Sequence, residues 1–141
     1  MNQCTPEILE EFLADYGWNY YKVTKGIWTT GFATDIQTFP LKIILDDNFV
    51  TFSVQPLLKL DFDIIAFPEI SAHILELNFH SHVVKLCIDD VGDIVLTYAL
   101  LNQVFDFEQF STALGVLGHY TVQFHKELDD LLPKEKKSLH L

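Results

Sequence analysis

Apolar residues fall on one helical face at the start of the chain. Ile8, Leu9, Phe12, Leu13 and Tyr16 recur at steps of three and four, while Glu10, Glu11 and Asp15 take the opposite side. Thr5 suits an N-cap, Pro6 the first helical position and Glu7 the positive end of the helix dipole. Gly17 follows as a stop that tolerates the left-handed conformation. The pattern predicts a short amphipathic helix.

Beyond Gly17 the period shifts toward two. Trp18 to Val23 is rich in aromatics, which suit strands. Thr24-Lys25-Gly26 reads as a turn, and Ile27 to Ala33 as a weaker strand with Gly31 placed for a bulge. Phe39 to Leu45 and Phe49 to Gln55 form a predicted hairpin around Asp46-Asp47-Asn48. In its second arm Val50, Phe52 and Val54 mark the buried face. Pro56 is expected to end that strand, and Leu57 to Asp63 is either a short strand or a loop.

Pro68-Glu69 opens a predicted helix with Ile70, Ile74, Leu75 and Leu77 as its apolar positions, running to Asn78 or His80. Val83 to Asp89 and Asp93 to Leu100 are predicted strands joined by Asp90-Val91-Gly92. A long final helix starts at the cap Asp106, with Gln109 at capping-box spacing. Its stripe is Phe107, Phe110, Leu114, Leu117, Thr121, Phe124, Leu128 and Leu131, and Pro133 stops it. Helices set apart from hairpin-joined antiparallel strands give the α+β class. With 141 residues the expectation is one domain, 1–141, with a core from about residue 5 to 132 and a polar tail over 133–141.

Composition narrows the function classes. Hydrophobic residues make up 49% of the chain, with twelve Phe, and this excludes disorder. A mean hydropathy of +0.19 is high for a small monomer and is met either by a dense core or by a subunit interface. The net charge of −11 argues against nucleic-acid binding and against docking on an anionic membrane. Any partner should therefore be neutral or basic. Cys4 and Cys87 make no disulfide framework, and the N-terminus lacks the basic and apolar regions of a signal peptide, so a cytoplasmic location is expected.

Candidate chemistry is sparse. The six histidines include His80 and His82, which would share a face in a strand, and His119 and His125, which do not face together on a helix. No zinc spacing is present, and the expectation is no metal and no cofactor. Asp46-Asp47, Asp61-x-Asp63 and Asp89-Asp90-x-x-Asp93 are explained by turn chemistry, without an EF-hand pattern. No nucleophile elbow, phosphate loop or dinucleotide fingerprint occurs, so no enzyme is expected. Cys87 alternates with Leu86 and Ile88 on the less buried face, with no base to activate it.

Two features call for an explanation. The first helix offers Ile8, Phe12 and Tyr16, on an apolar face that either closes the sheet, the favoured reading, or meets a partner. The last contains Gly115 and Gly118, each costing about 1 kcal/mol relative to alanine. Those glycines answer either close packing on the sheet or close approach of a second chain. These five are the candidate partner-binding positions. The expectation is that the apolar faces of the two terminal helices exceed what one sheet can cover.

Several strings resemble the YbjN-type family, which has the fold of type III secretion chaperones. They are Thr5-Pro6-Glu7 with Ile8-Leu9, the Gly17-Trp18 exit, the Pro40-to-Phe52 hairpin, and Asn78 at the end of the middle helix. Lys85 to Leu96 around Asp89-Asp90-Val91-Gly92-Asp93, and Phe107-Glu108-Gln109-Phe110, complete the set. The resemblance spans about residues 5 to 131. It implies an α-β-β-β-α-β-β-α domain, bacterial, usually dimeric and non-catalytic, around which a partner chain wraps in extended form. No catalytic residue carries over. The favoured expectation is a homodimeric protein-binding module, chaperone-like or regulatory. The alternative is a small-ligand-binding regulator with an apolar pocket lined by Trp18, Trp28 and Phe residues. A third reading, an enzyme built on His80, His82 and the Asp clusters, also follows from the side-chain inventory.

Overall fold

The computed structural model describes residues 3–60 and 67–132. The first helix, α1 (Pro6–Tyr16), forms where its signals place it: the Thr5 hydroxyl accepts from the Ile8 amide, and Gly17 closes the helix at φ 87°. Four strands follow: β1 (Tyr21–Thr24), β2 (Ile27–Ala33), β3 (Thr38–Leu45) and β4 (Phe49–Leu58). After them come α2 (Phe67–His80), β5 (Val84–Ile88), β6 (Ile94–Leu101), a single 3-10 turn over Asn102–Val104, and α3 (Phe107–Asp129). The resemblance implied three strands before the middle helix. The fourth is the short edge strand β1, later and shorter than the expected Trp18-to-Val23 run.

The six strands form one antiparallel sheet in the order β1-β2-β3-β4-β6-β5. β4 does not end at Pro56 as expected. It continues to Leu58 across a register shift between Val54 and Leu58 opposite β6, an irregularity that accommodates a residue lacking a ladder donor. The expectations for Asp61-x-Asp63 and for Pro133 and the tail lie outside the described residues.

All three helices pack on the same side of the sheet. Val50, Phe52 and Val54 of β4, Leu96 and Tyr98 of β6, and Phe39, Leu41 and Ile43 of β3 supply the buried face. The stripe of α3 is seated on it through Phe110, Leu114, Leu117, Thr121, Phe124 and Leu128. α1 buries Leu9 and Leu13 beside it, and α2 contributes Ile70 and Ile74 at the β5 end. The expected excess of apolar surface on the terminal helices is thus largely corrected: most of each stripe is buried within one copy, because α1 packs on α3 and sends Leu9 and Leu13 into the core. Two apolar side chains at their margins, Tyr16 and Phe107, stay partly exposed.

Asn102 ties the N-terminal segment to the β3–β4 hairpin. Buried at 1% exposure, its side chain accepts from the Cys4 amide at 2.7 Å and donates to the Asp46 carbonyl at 2.8 Å. Its own amide donates to the Asn48 carbonyl at 2.8 Å. An aliphatic side chain here leaves buried polar groups unpaired. Asn102→Ala is expected to cost about 2–3 kcal/mol of unfolding free energy by chemical denaturation, more than a surface Asn→Ala control.

Candidate partner-binding surfaces

Exposed apolar surface gathers on α2 and the turn that follows it. With Ile70 and Ile74 turned into the core, the opposite side of the helix carries Leu75 at 70% exposure and Phe79 at 83%. They are four residues apart and so stack on one face. In the turn that follows the helix, Val83 is exposed as well, at 63%. Scattered exposed apolar residues are ordinary, but a contiguous set on one element marks an interaction surface.

The backbone holds Val83 there at a cost. Its φ is 60°, and the Val84 amide donates to the His82 carbonyl at 2.6 Å, closing a three-residue turn centred on Val83. A β-branched residue in the left-handed region is strained by about 1–3 kcal/mol. Its exposed side chain recovers none of this inside the copy.

Two contacts hold α2, one to the sheet edge and one to α3. The Asn78 amide group donates to the Leu86 carbonyl at 3.0 Å and accepts from the Leu86 amide at 2.7 Å, so it satisfies β5 where a neighbouring strand otherwise would. His73 Nε2 lies 3.5 Å from Glu127 Oε2 of α3, both atoms buried without a hydrogen-bond partner among the described residues. The opposite edge is open. All four residues of β1 are exposed, Tyr21 and Val23 strongly, and the strand pairs only with β2 among the described residues.

The five positions singled out by sequence are not brought together as one surface. Ile8 is half-buried against the core. Phe12 sits among Phe105, Phe107 and Phe110 at 5.7–6.0 Å between ring centroids. Tyr16 is partly exposed yet stacks edge-on against Trp18 and Phe110. A Cβ on Gly118 would meet the Phe32 ring at 3.4 Å, so that glycine answers close packing on the sheet. Gly115 is exposed, and a Cβ there would meet nothing within 4 Å. The stripe on α2 is hidden in the sequence pattern because Leu75 fits the buried periodicity. The signal present in the sequence was that Ile70, Ile74 and Leu77 already complete one face without it.

The expected aromatic-lined pocket is corrected. Trp28 is fully buried and its indole donates to Glu10 at 2.9 Å, while Trp18 packs edge-on against Phe32. The core therefore fills the space that a ligand would take. A cleft of about 510 Å³ lies instead between the β2–β3 turn and α3 and is lined by Thr34, Asp35, Gly118, His119 and Gln123 among others.

The acidic clusters serve turns. Asp46 accepts from the amides of Asn48 and Phe49, which hold its carboxyl below the usual range. Asp89 is lowered chiefly by the Asp93 amide, with Gln55 and the Val91 and Gly92 amides adding to it. Burial pushes the Cys4 thiol up to about 11 and raises that of Cys87 as well, the reverse of an activated nucleophile. His80 ends α2 and His82 lies in the turn, and no three His, Cys, Asp or Glu side chains converge among the described residues.

The family model of YbjN, described as "Putative bacterial sensory transduction regulator", matches residues 5–130. No curated protein matches the chain. Among solved structures, YbjN from E. coli superposes with a TM-score of 0.63 at 21% identity, covering 88% of this chain and 91% of that one. A chain of the heterodimeric ExoU–SpcU complex from the type III secretion system of Pseudomonas aeruginosa gives 0.59 at 20% identity, covering 89% and 98%. The Yersinia pestis type III secretion chaperone SycH, solved in complex with a fragment of YscM2, gives 0.57 at 16% identity, covering 83% and 96%. At these identities the likeness is one of fold.

Two outcomes follow. Val83→Gly should raise the unfolding free energy by about 1 kcal/mol, since relief of strain outweighs the added entropy of the unfolded chain. The depressed Asp46 and Asp89 carboxyls add stability that is complete above the unfolded-state value of about 3.9 and is lost as pH falls from there through their folded values. The melting temperature should therefore drop below about pH 4, and Asp89→Asn should make that drop shallower.

Proposed function

The chain belongs to the YbjN family, and from that premise we propose that it is a single-domain, non-catalytic protein-binding module, chaperone-like or regulatory, that works as a homodimer in the bacterial cytoplasm. The observation that carries this is the exposed stripe of Leu75 and Phe79, with exposed Val83 in the turn that follows. Each of these side chains is worth about 1.5–3 kcal/mol when fully buried. A two-fold axis through the stripe would set the same residues against each other, the self-complementary arrangement of most homodimers. The three side chains supply roughly half of the ~600 Å² per subunit that the smaller stable interfaces bury. Exposed Ala72, Glu76 and His80 border the stripe and would supply a rim.

The strain at Val83 supports the same reading. A residue held at a cost, with its side chain in solvent, gains only when something covers it. The open edge of β1 supports a second contact, in which an extended partner segment adds a strand through main-chain hydrogen bonds. Two solved structures of this fold, ExoU–SpcU and SycH–YscM2, are complexes with another protein, which favours a protein as the partner here too.

Sedimentation velocity at about 100 μM tests the dimer, since interfaces of this size bind in the micromolar range or tighter. The wild type is expected to sediment as a dimer, and Phe79→Glu or Leu75→Glu as a folded monomer by circular dichroism. A monomeric wild type would overturn the homodimer. The protein-binding role fails if affinity-tagged chain expressed in its native host at native level retains no protein in stoichiometric amount.

A further inference from the structure

The chain carries 20 acidic residues against 9 Lys and Arg. None of the acids lies in a strand: the charged residues within β1 to β6 are Lys22, Lys42 and Lys85. Lys22 belongs to the helix side, 3.7 Å from Glu10 and 5.8 Å from the centre of the Trp28 ring. Lys42 and Lys85 belong to the other side, which no helix covers among the described residues. The register sets them in one row across four strands, Lys42 beside Ser53, Ser53 beside Thr97, and Thr97 beside Lys85.

Between the two lysines the face is made of small side chains. Ser53 and Thr97 are 5% and 8% exposed, and neither hydroxyl has a hydrogen-bond partner among the described residues. Thr51 and Ala99 form the next pair on this face, followed by Phe49 opposite Leu101, both of these exposed. This strip thus runs along β4 and β6 from buried Val95, past Ser53 and Thr97, to Thr51 and Ala99 and then to exposed Phe49 and Leu101, and only that last part of it is accessible.

A lysine on the edge strand β5 guards against unwanted strand pairing. That reason does not extend to Lys42, which sits on β3 in the interior of the sheet. Three strand spacings of ~4.8 Å separate the two lysine positions by roughly 14 Å. An α-helix with its side chains is ~10–12 Å across, so one helix fits lengthwise between them.

We propose that this face takes an amphipathic helix of a partner protein, with its apolar side on Thr51, Ala99, Phe49 and Leu101 and carboxylates on its flanks against Lys42 and Lys85. The partner segment is acidic although the chain itself is acidic, because the chain's own carboxylates all lie on helices, turns and connections. This inference rests on the protein-binding reading and names the chemistry of its partner. It is independent of the homodimer, which uses α2.

The test uses synthetic helical peptides, of leucine and alanine on one face and glutamate along both flanks, followed by fluorescence anisotropy with the full chain. Versions with glutamine and with lysine in place of glutamate serve as the comparison. The glutamate peptide should bind, and the other two at least ~10-fold more weakly, since flanking charge complementarity sets the preference. Lys42→Glu with Lys85→Glu should reverse that order, and Leu101→Asp should abolish binding while the melting temperature stays near that of the wild type. Should Leu101→Asp fail to fold, Ala99→Glu on the same face provides the reading. No binding of the glutamate peptide, equal binding of all three, or binding indifferent to the lysine reversal would overturn the proposal. Phe79→Glu separates it from the dimer: peptide binding should persist in that variant, and its loss there would place the site on α2 and overturn the proposal.

Discussion

Phe110 is where the sheet, α1 and α3 meet. Its ring lies 5.7 Å from Phe52 of β4, 5.8 Å from Phe12 and 5.8 Å from Tyr16 of α1, and 6.1–6.2 Å from Phe105 and Phe107 of its own approach. Edge-on and tilted pairs of this kind add about 0.5–1.5 kcal/mol each beyond their buried area. A six-stranded sheet has two faces, and each helix can cover only one. The aromatic cluster decides that α1 and α3 share the same face, and α2 joins them beside β5. On the second face no helix lies among the described residues: Ser53, Val95 and Thr97 are buried there, while Ala99, Phe49 and Leu101 stay exposed.

That division accounts for the functional surfaces. Had one terminal helix crossed to the far side, the Lys42–Lys85 row would be buried and would need paired carboxylates, because an unpaired buried charge is expensive. Left open, the row needs none, and the strands contain none. The edges follow the same logic. β5 is closed by the Asn78 amide, which satisfies the Leu86 backbone at both donor and acceptor. β1 has no such cover and carries exposed Tyr21 and Val23. One edge is occupied and the other is available, so strand addition is possible at β1 and prevented at the centre of β5.

The exposed stripe on α2 is of a different kind. Leu75, Phe79 and Val83 face away from the core while Ile70 and Ile74 fill it. Such a helix is apolar on two sides, which is the mark of an element serving two layers. The strained turn at Val83 shows a local conformation chosen against backbone preference, and such conformations persist where the surroundings or the function require them.

Read from residues alone, the chain yields most of its elements. Thr5, Pro6 and Gly17 bound α1, Asp106 caps α3 by accepting from the Gln109 amide, and Asp46 and Asp89 build their turns. These signals are legible because each acts within about four residues. The buried alternation of Val50, Phe52 and Val54 is legible for the same reason. What required the tertiary structure was the allocation of surfaces. Whether Leu75 lies in a core, whether Trp28 lines a pocket or fills one, and whether Gly118 rather than Gly115 touches the sheet depend on which elements meet. Those meetings are set by side chains far apart in sequence, such as Phe52 with Phe110 and Cys4 with Asn102. Local chemistry determined the pieces, and the burial of one sheet face determined which of their surfaces stayed free.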